Sequence, residues 1–328
     1  MIVDKNSKRR ALIIGVSGQD GAYLSKFLDG KNYEVYGTSR NLKLTDFSAL
    51  QYVGAEVYVN KIQMIPSVFE SVRDVIERVQ PHEIYNLSAQ SSVSISFQKP
   101  ALTINSITLT TLNILEAIRV LDLSTKFYNA GSGEVFGETM GRPADETTAF
   151  KPVSPYGLAK AIAADQVSMY RNVYDMYACT GILFNHESPL RPDHYVTKKI
   201  IAAACRIGAG SDEKLKLGNI DIARDWGYAP EYVDAMWRML QIESPQDFVI
   251  ATGKSISLKR FIAESFSFFD LNWEDHVVIE NTLMRPSDIA VSSANPEKAE
   301  LLLNWQAQHT ASDLVRTMIK CEKVSNEK

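Results

Sequence analysis

The chain has 328 residues, 45% of them apolar and 23% charged, with a formal net charge of −4. That is an ordinary globular composition with room for one large domain or two moderate ones, and the mild acidity argues against nucleic acid or an anionic membrane as a main partner. No unbroken apolar run approaches the ~20 residues of a membrane span, so a cytoplasmic protein without a membrane partner is expected.

Met1–Arg10 lacks the apolar centre of a secretory signal and reads as a disordered lead-in. Ala11–Val16 is a continuous apolar run, as expected of a strand buried on both faces. A Gly-rich turn follows, then a helix near Ala22–Leu28 that Asp29-Gly30 stops. Tyr33–Thr38 and Glu56–Val59 read as strands, Ser67–Val79 as a helix ended by Pro81, and Glu83–Leu87 as a strand. Ala101–Leu121 is a long helix, apolar on more than one side. Lys126–Ala130 is a strand, Pro155–Met176 a helix with Pro at its start, and Ala178–Phe184 a strand. The alternation implies an α/β, doubly wound parallel sheet with helices on both faces. Beyond Asn185 prolines break the pattern, but Gln246–Thr252 reads as a core strand returning to the sheet. Glu322–Lys328 is polar and expected to fray.

Cys179, Cys205 and Cys321 are far apart and include no C-x-x-C pair, which suits a reducing compartment and suggests neither disulfides nor zinc. His186 and His194, eight apart in a Pro-rich loop, do not have metal spacing, and no metal is expected. The chemistry lies elsewhere. Gly15-Val-Ser17-Gly18-Gln19-Asp20-Gly21 follows the first strand and opens a helix, where glycines let backbone approach a pyrophosphate. At the end of the second strand Arg40 stands where an NAD enzyme carries an acid. A guanidinium there favours a 2′-phosphate, so NADP is expected over NAD, unless Arg40 is simply a solvated charge.

Tyr156 and Lys160, four apart on a helix, share one face, and an ammonium beside the phenol favours the phenolate. Y-x-x-x-K is common by chance; its weight comes from the phosphate loop and from Ser132-Gly-Glu134 upstream. Ser132 can hold a substrate hydroxyl, while Glu134 adds a carboxylate that a plain alcohol dehydrogenase does not need. Such a group suits removal of a proton next to a newly formed carbonyl.

Together these elements resemble the extended short-chain dehydrogenase/reductase family. Gly15–Leu24, Asn86–Val93, the block Asn185-His186-Glu187-Ser188-Pro189 and Arg224-Asp-Trp-Gly227 are similar, more narrowly, to GDP-mannose 4,6-dehydratases. The resemblance runs from about Ala11 to about Thr317. It implies a Rossmann-type NADP-binding domain (1–184 plus roughly 222–256) and a smaller nucleotide-sugar-binding domain (185–221 plus roughly 257–325). In that family Tyr156 takes the C4 hydroxyl proton, Lys160 tunes it, Ser132 polarises the C4 oxygen, and Glu134 takes the C5 proton and helps expel the C6 hydroxyl. The resemblance further implies cofactor contacts at Leu87, Ala89, His186 and Arg191, and contacts to a GDP-activated sugar at Gln90, Ser91, Asn185, Lys199, Arg224 and Arg285. It also implies a homodimer or homotetramer, built through Ala101–Leu121 and Pro155–Met176 and through the loop around Arg40. Otherwise those helix faces cover only the chain's own sheet.

Three departures from the family pattern stand out. Ile62-Gln-Met64 replaces the usual Gly-Asp-Leu near the adenine, Gly133 replaces a more usual Ser and is expected to loosen its turn, and the stretch from Ile279 to Asp288 is abbreviated. A GDP-manno-heptose is therefore an alternative substrate, and a 4-keto-sugar reductase or epimerase of the same fold an alternative activity.

Overall fold

The computed structural model describes residues 8–139 and 141–326. The chain runs β1 (Arg10–Ile14), α1 (Gln19–Gly30), β2 (Glu34–Ser39), α2 (Ser48–Tyr52), β3 (Val59–Gln63) and α3 (Phe69–Val79). It continues through β4 (Glu83–Asn86), α4 (Val93–Gln98), α5 (Pro100–Val120), β5 (Lys126–Ala130), α6 (Pro155–Tyr174) and β6 (Ala178–Leu183). The second half holds β7 (Asn185–Glu187), α7 (Val196–Gly208), β8 (Leu215–Leu217), β9 (Ala223–Tyr228), α8 (Ala229–Met239) and β10 (Phe248–Ile250). Last come β11 (Ser255–Ser257), α9 (Leu258–Ser267), β12 (Val277–Ile279), α10 (Glu297–Leu303) and α11 (Ala311–Asn326).

Seven strands form one parallel sheet in the order β10-β6-β5-β4-β1-β2-β3. β1 shows why its sequence is apolar throughout. Ala11 and Ile13 enter a core shared with α1 and α8, while Leu12 and Ile14 enter another shared with α3, α5 and α6. The strand order reverses between β1 and β4, which opens a crevice at the carboxyl edge of the sheet. A separate core joins α7, α9 and α11 to the small sheet β11-β9-β7 through Ile200, Phe261, Leu314 and Trp226.

Several expectations need correction. α1 begins at Gln19 rather than near Ala22, because Gly18 is extended and serves as its N-cap. The third strand is Val59–Gln63, not Glu56–Val59: Val57 is 83% exposed, and register with β2 starts at Val35↔Val59. The C-terminal residues do not fray from Glu322, since α11 continues to Asn326 and Glu322 pairs with Lys198 Nζ at 2.5 Å. The expected lead-in before Lys8 and the final two residues lie outside the described residues.

The domain boundary also moves, because Trp226 packs on Phe261 in the second core, so β9 does not belong with the large sheet. Ala299, Leu303 and Trp305 return to the α1/α8 core instead of staying with the second lobe. By length and composition α5 is apolar enough to cross a membrane, although its sequence contains no unbroken apolar run; half of it is buried within the fold.

Candidate active site

The crevice is built by close backbone approach. Gly15 has φ +93°, and a Cβ there would fall 2.9 Å from the amide nitrogen of Ser88 on the loop after β4. At Gly21 a Cβ would fall 2.5 Å from the Gly15 carbonyl oxygen. Gly18 offers no side-chain cap, so the first N–H groups of α1 lack partners within the helix. A glycine cradle at the strand-order reversal, opening onto an uncapped helix N-terminus, fits the pyrophosphate of a dinucleotide.

Two motifs distant in sequence interlock beside this cradle. Asp20 Oδ2 meets His186 Nε2 at 2.9 Å, Ser188 Oγ donates to Gln19 Oε1 at 2.8 Å, and Gln19 Nε2 donates to the His186 carbonyl at 3.2 Å. Burial pushes Asp20 up, but the charge and hydrogen bond of His186 outweigh it and hold the carboxyl below its usual range. Arg191 completes the cluster, with Nε 2.9 Å from Glu187 Oε2 and its guanidinium 3.7 Å from the centre of the Tyr195 ring.

The catalytic candidates converge at the ends of β5 and α6. Ser132 caps the short turn Gly133–Val135, and its Oγ accepts from Glu134 N at 3.3 Å. Ser154 Oγ accepts from Gly157 N at 3.0 Å and starts α6 with Pro155 in the first turn. That start puts Tyr156 and Lys160 on one buried face, the Lys160 nitrogen 5.8 Å from the Tyr156 ring centre. A Cβ on Gly157 would lie 2.7 Å from the Glu134 carbonyl, so the helix is pressed onto the Glu134 turn. Gly133 is tight rather than loose: a Cβ there would sit 3.1 Å from the Phe184 ring.

The electrostatics differ from the expectation for Tyr156. Burial pushes its phenol above the usual value, and a hydrogen bond with Ser132 and the charge of Arg191 only partly offset this. Burial also pushes Lys160 down to about 8, while its Nζ donates to the Ala130 carbonyl at 2.6 Å. The groups that lower the Tyr156 phenol in this structure are the Ser132 hydrogen bond and the Arg191 charge. Burial likewise raises Glu134, against the charges of Arg224 and Arg285, with Asp288 adding to the rise.

The remaining candidates divide. Leu87 N donates to the Ile14 carbonyl at 2.9 Å at the floor of the crevice, and Ala89 packs with the cluster around Tyr156. Ser17 lies in the cradle, and Arg40 is exposed directly after β2. Ser91 Oγ pairs with the Tyr195 hydroxyl at 2.6 Å. Asn185 heads β7 in register with Trp226. The Gln90 amide is turned into its own loop, donating to the Ser92 carbonyl at 2.9 Å and Thr103 Oγ1 at 3.1 Å, which argues against a direct ligand contact. Lys199 Nζ donates to the Lys216 carbonyl on β8 at 2.7 Å.

Arg224 is a buried strut. It donates to the carbonyls of Ala223 (2.9 Å) and Ile289 (2.7 Å) and to Asp288 Oδ1 (2.8 Å), whereas Arg285 is a third exposed, with Nη1 3.5 Å from the same oxygen. Sequence reasoning missed Tyr195 and Asp288. Only the three-residue spacing from Arg285 to Asp288 pointed to the latter.

A family model described as GDP-mannose 4,6 dehydratase matches residues 12–318. The chain is 41% identical over 322 residues to GDP-mannose 4,6 dehydratase 1 of Arabidopsis thaliana, covering 95% of this chain and 89% of that protein. It is 39% identical over 343 residues to GDP-mannose 4,6 dehydratase of Dictyostelium discoideum, covering 95% of each. Among solved structures it superposes on dTDP-glucose 4,6-dehydratase from Bacillus anthracis in complex with NAD with a TM-score of 0.84, 16% identity, and coverage of 97% of this chain and 98% of that one. That likeness speaks to the fold.

Proposed function

The chain belongs to the GDP-mannose 4,6-dehydratase family, and from that premise we propose that it converts GDP-mannose to the GDP-4-keto-6-deoxy sugar. The observation that carries the reading is Glu134, a partly buried carboxyl on the same turn as Ser132, with that turn pressed against the start of the Tyr156 helix. Ser132 holds the C4 oxygen, and Tyr156 takes the C4 hydroxyl proton. A nicotinamide dinucleotide bound at Gly15–Gly21 supplies the hydride acceptor for C4–H and the donor that returns the hydride to C6. Between those events the C4 ketone acidifies C5–H. Glu134 takes that proton and passes it to the departing C6 hydroxyl, which leaves as water, and C5 regains a proton from the Tyr156 phenol, the one taken from the C4 hydroxyl, as C6 is reduced.

Exposed Arg40 after β2 supports NADP over NAD by offering a guanidinium to a 2′-phosphate. With relatives named for GDP-mannose, neither a heptose substrate nor a reductase or epimerase is needed. The test is to incubate the purified protein with catalytic NADP and GDP-mannose and weigh the product. Loss of one water supports the reading, and a sugar nucleotide of unchanged mass overturns it.

A homo-oligomer built on α5 and α6 is part of the same proposal. These packed helices leave Leu102, Leu109, Leu158, Ile162, Met169 and Val173 exposed, an apolar face suited to a second copy of this chain. Sedimentation that shows Leu158→Glu as a monomer and the parent as a dimer or tetramer supports it; a monomeric parent refutes it.

A further inference from the structure

His186 presents both of its ring nitrogens to acceptors. Nδ1 lies 2.8 Å from the Phe184 carbonyl oxygen, and Nε2 lies 2.9 Å from Asp20 Oδ2. A carbonyl oxygen can only accept, so Nδ1 carries a hydrogen. Nε2 then either donates to an Asp20 carboxylate or is bare and accepts from an Asp20 carboxylic acid. The surroundings of Asp20 select the carboxylate: Gln19 Nε2 donates to its other oxygen, Oδ1, at 3.1 Å, and Arg191 and Lys160 act on it as positive charges. No other acid competes for the ring. Glu187 turns its carboxylate to Arg191 Nε and Thr197 Oγ1, α8 stacks the Tyr232 ring on the imidazole at 4.6 Å, and β9 sets uncharged Gly227 opposite His186. With both nitrogens committed inside the protein, the ring has no polar atom left for a ligand.

Asp20 is the second residue of α1, in the turn whose first N–H groups have no partner within the helix. A carboxylate there competes with an anionic ligand for the positive end of the helix. The Gly15–Gly21 cradle asks for an anion, and the chain places one of its own beside it. An imidazolium bonded to Asp20 removes that conflict.

We propose that His186 is held as an imidazolium between Asp20 and the Phe184 carbonyl, and that its charge cancels the Asp20 carboxylate at the pyrophosphate cradle. His186 is thereby a positioning residue, acting on dinucleotide binding through Asp20 rather than by a ring contact with the ligand. The purpose of the pair rests on the reading of Gly15–Gly21 as a dinucleotide site; its charge state does not.

Nitrogen NMR of the histidine rings reads that charge without any cofactor. The His186 signals are identified by their loss in His186→Gln or, if that variant does not fold, by elimination as the other four of the five histidines are replaced one at a time. Both ring nitrogens are expected to stay protonated to about pH 8, above the ordinary 6.5, and in Asp20→Asn the ring is expected to lose a proton near or below that ordinary value. A parent with Nε2 bare at neutral pH overturns the proposal. So does an Asp20→Asn ring that stays doubly protonated as far as the parent's. Calorimetric titration with NADP is the second arm. His186→Gln leaves the carboxylate uncancelled and is expected to weaken binding about tenfold, and adding Asp20→Asn is expected to return most of that loss. Loosened packing would leave the double variant no better than the single one, and that result also overturns the proposal. A parent that binds no dinucleotide overturns the cofactor reading itself, whereas a bare ring nitrogen in a parent that does bind one overturns only the pair.

Discussion

Two glutamates sit at opposite ends of the same sheet, one wholly buried and one partly, and they are treated differently. At the amino ends of the strands, Glu83 is wholly buried and meets four donors directly: Tyr33 at 3.0 Å, Tyr85 at 2.8 Å, Gln241 at 3.1 Å and Arg9 at 2.9 Å. At the carboxyl ends, Glu134 is acted on by burial and by the charges of Arg224, Arg285 and Asp288. A carboxylate enclosed by direct donors has its hydrogen bonding satisfied and ties elements together. One that burial and opposing charges pull in different directions can change state, which is what proton transfer requires.

Exchanging the chemistry at each end tests this contrast. Glu134→Gln is expected to slow water loss by roughly 10³-fold, the range for removing a general acid–base. Cofactor affinity, read by fluorescence titration, is expected to stay within about twofold, because the pyrophosphate cradle lies elsewhere. A variant that dehydrates at the parental rate removes Glu134 from the mechanism. Glu83→Ala is expected to do the reverse. Stripping the carboxylate from its donors costs about 3 kcal/mol by denaturant unfolding, while activity per folded molecule is retained. If that variant lost activity but not stability, the contrast between the two ends would be wrong.

A smaller effect probes the packing behind Glu134. Gly133→Ser is expected to cost about 1 kcal/mol in a thermal melt, because its Cβ would sit 3.1 Å from the Phe184 ring. A neutral or stabilising result would mean that Phe184 yields easily and that the turn is looser than the packing indicates.

What could be read from the sequence was local. The β1 run, the glycine cradle, the Ser132–Glu134 spacing and the shared face of Tyr156 and Lys160 each depend on residues within a turn or a strand of one another. The arginine cluster was half legible. Arg224 and Arg285 stood out as basic residues, but which is a strut depends on Asp288 and the Ile289 carbonyl, 64 and 65 positions from Arg224. The Ser91–Tyr195 contact spans 104 positions. No periodicity encodes such pairings. Lys160 shows the same limit: spacing gives its direction, but the depth of burial that pushes its amine down to about 8 comes from tertiary packing.

The subtlest expected difference between the two glutamates is a pH dependence of stability. Burial raises the folded-state pKa of Glu134 above its ordinary 4.5. The folded protein therefore holds that proton at pH values where the unfolded chain has released it. The resulting stabilisation is fully present below pH 4.5 and is lost as pH rises through the higher folded value. Glu134→Gln has no such proton to lose. Melting curves of the two proteins, compared at a series of pH values, should show the glutamine variant gaining on the parent across that window and holding its advantage above it. An advantage that stayed constant with pH would mean the Glu134 carboxyl titrates alike in folded and unfolded chains.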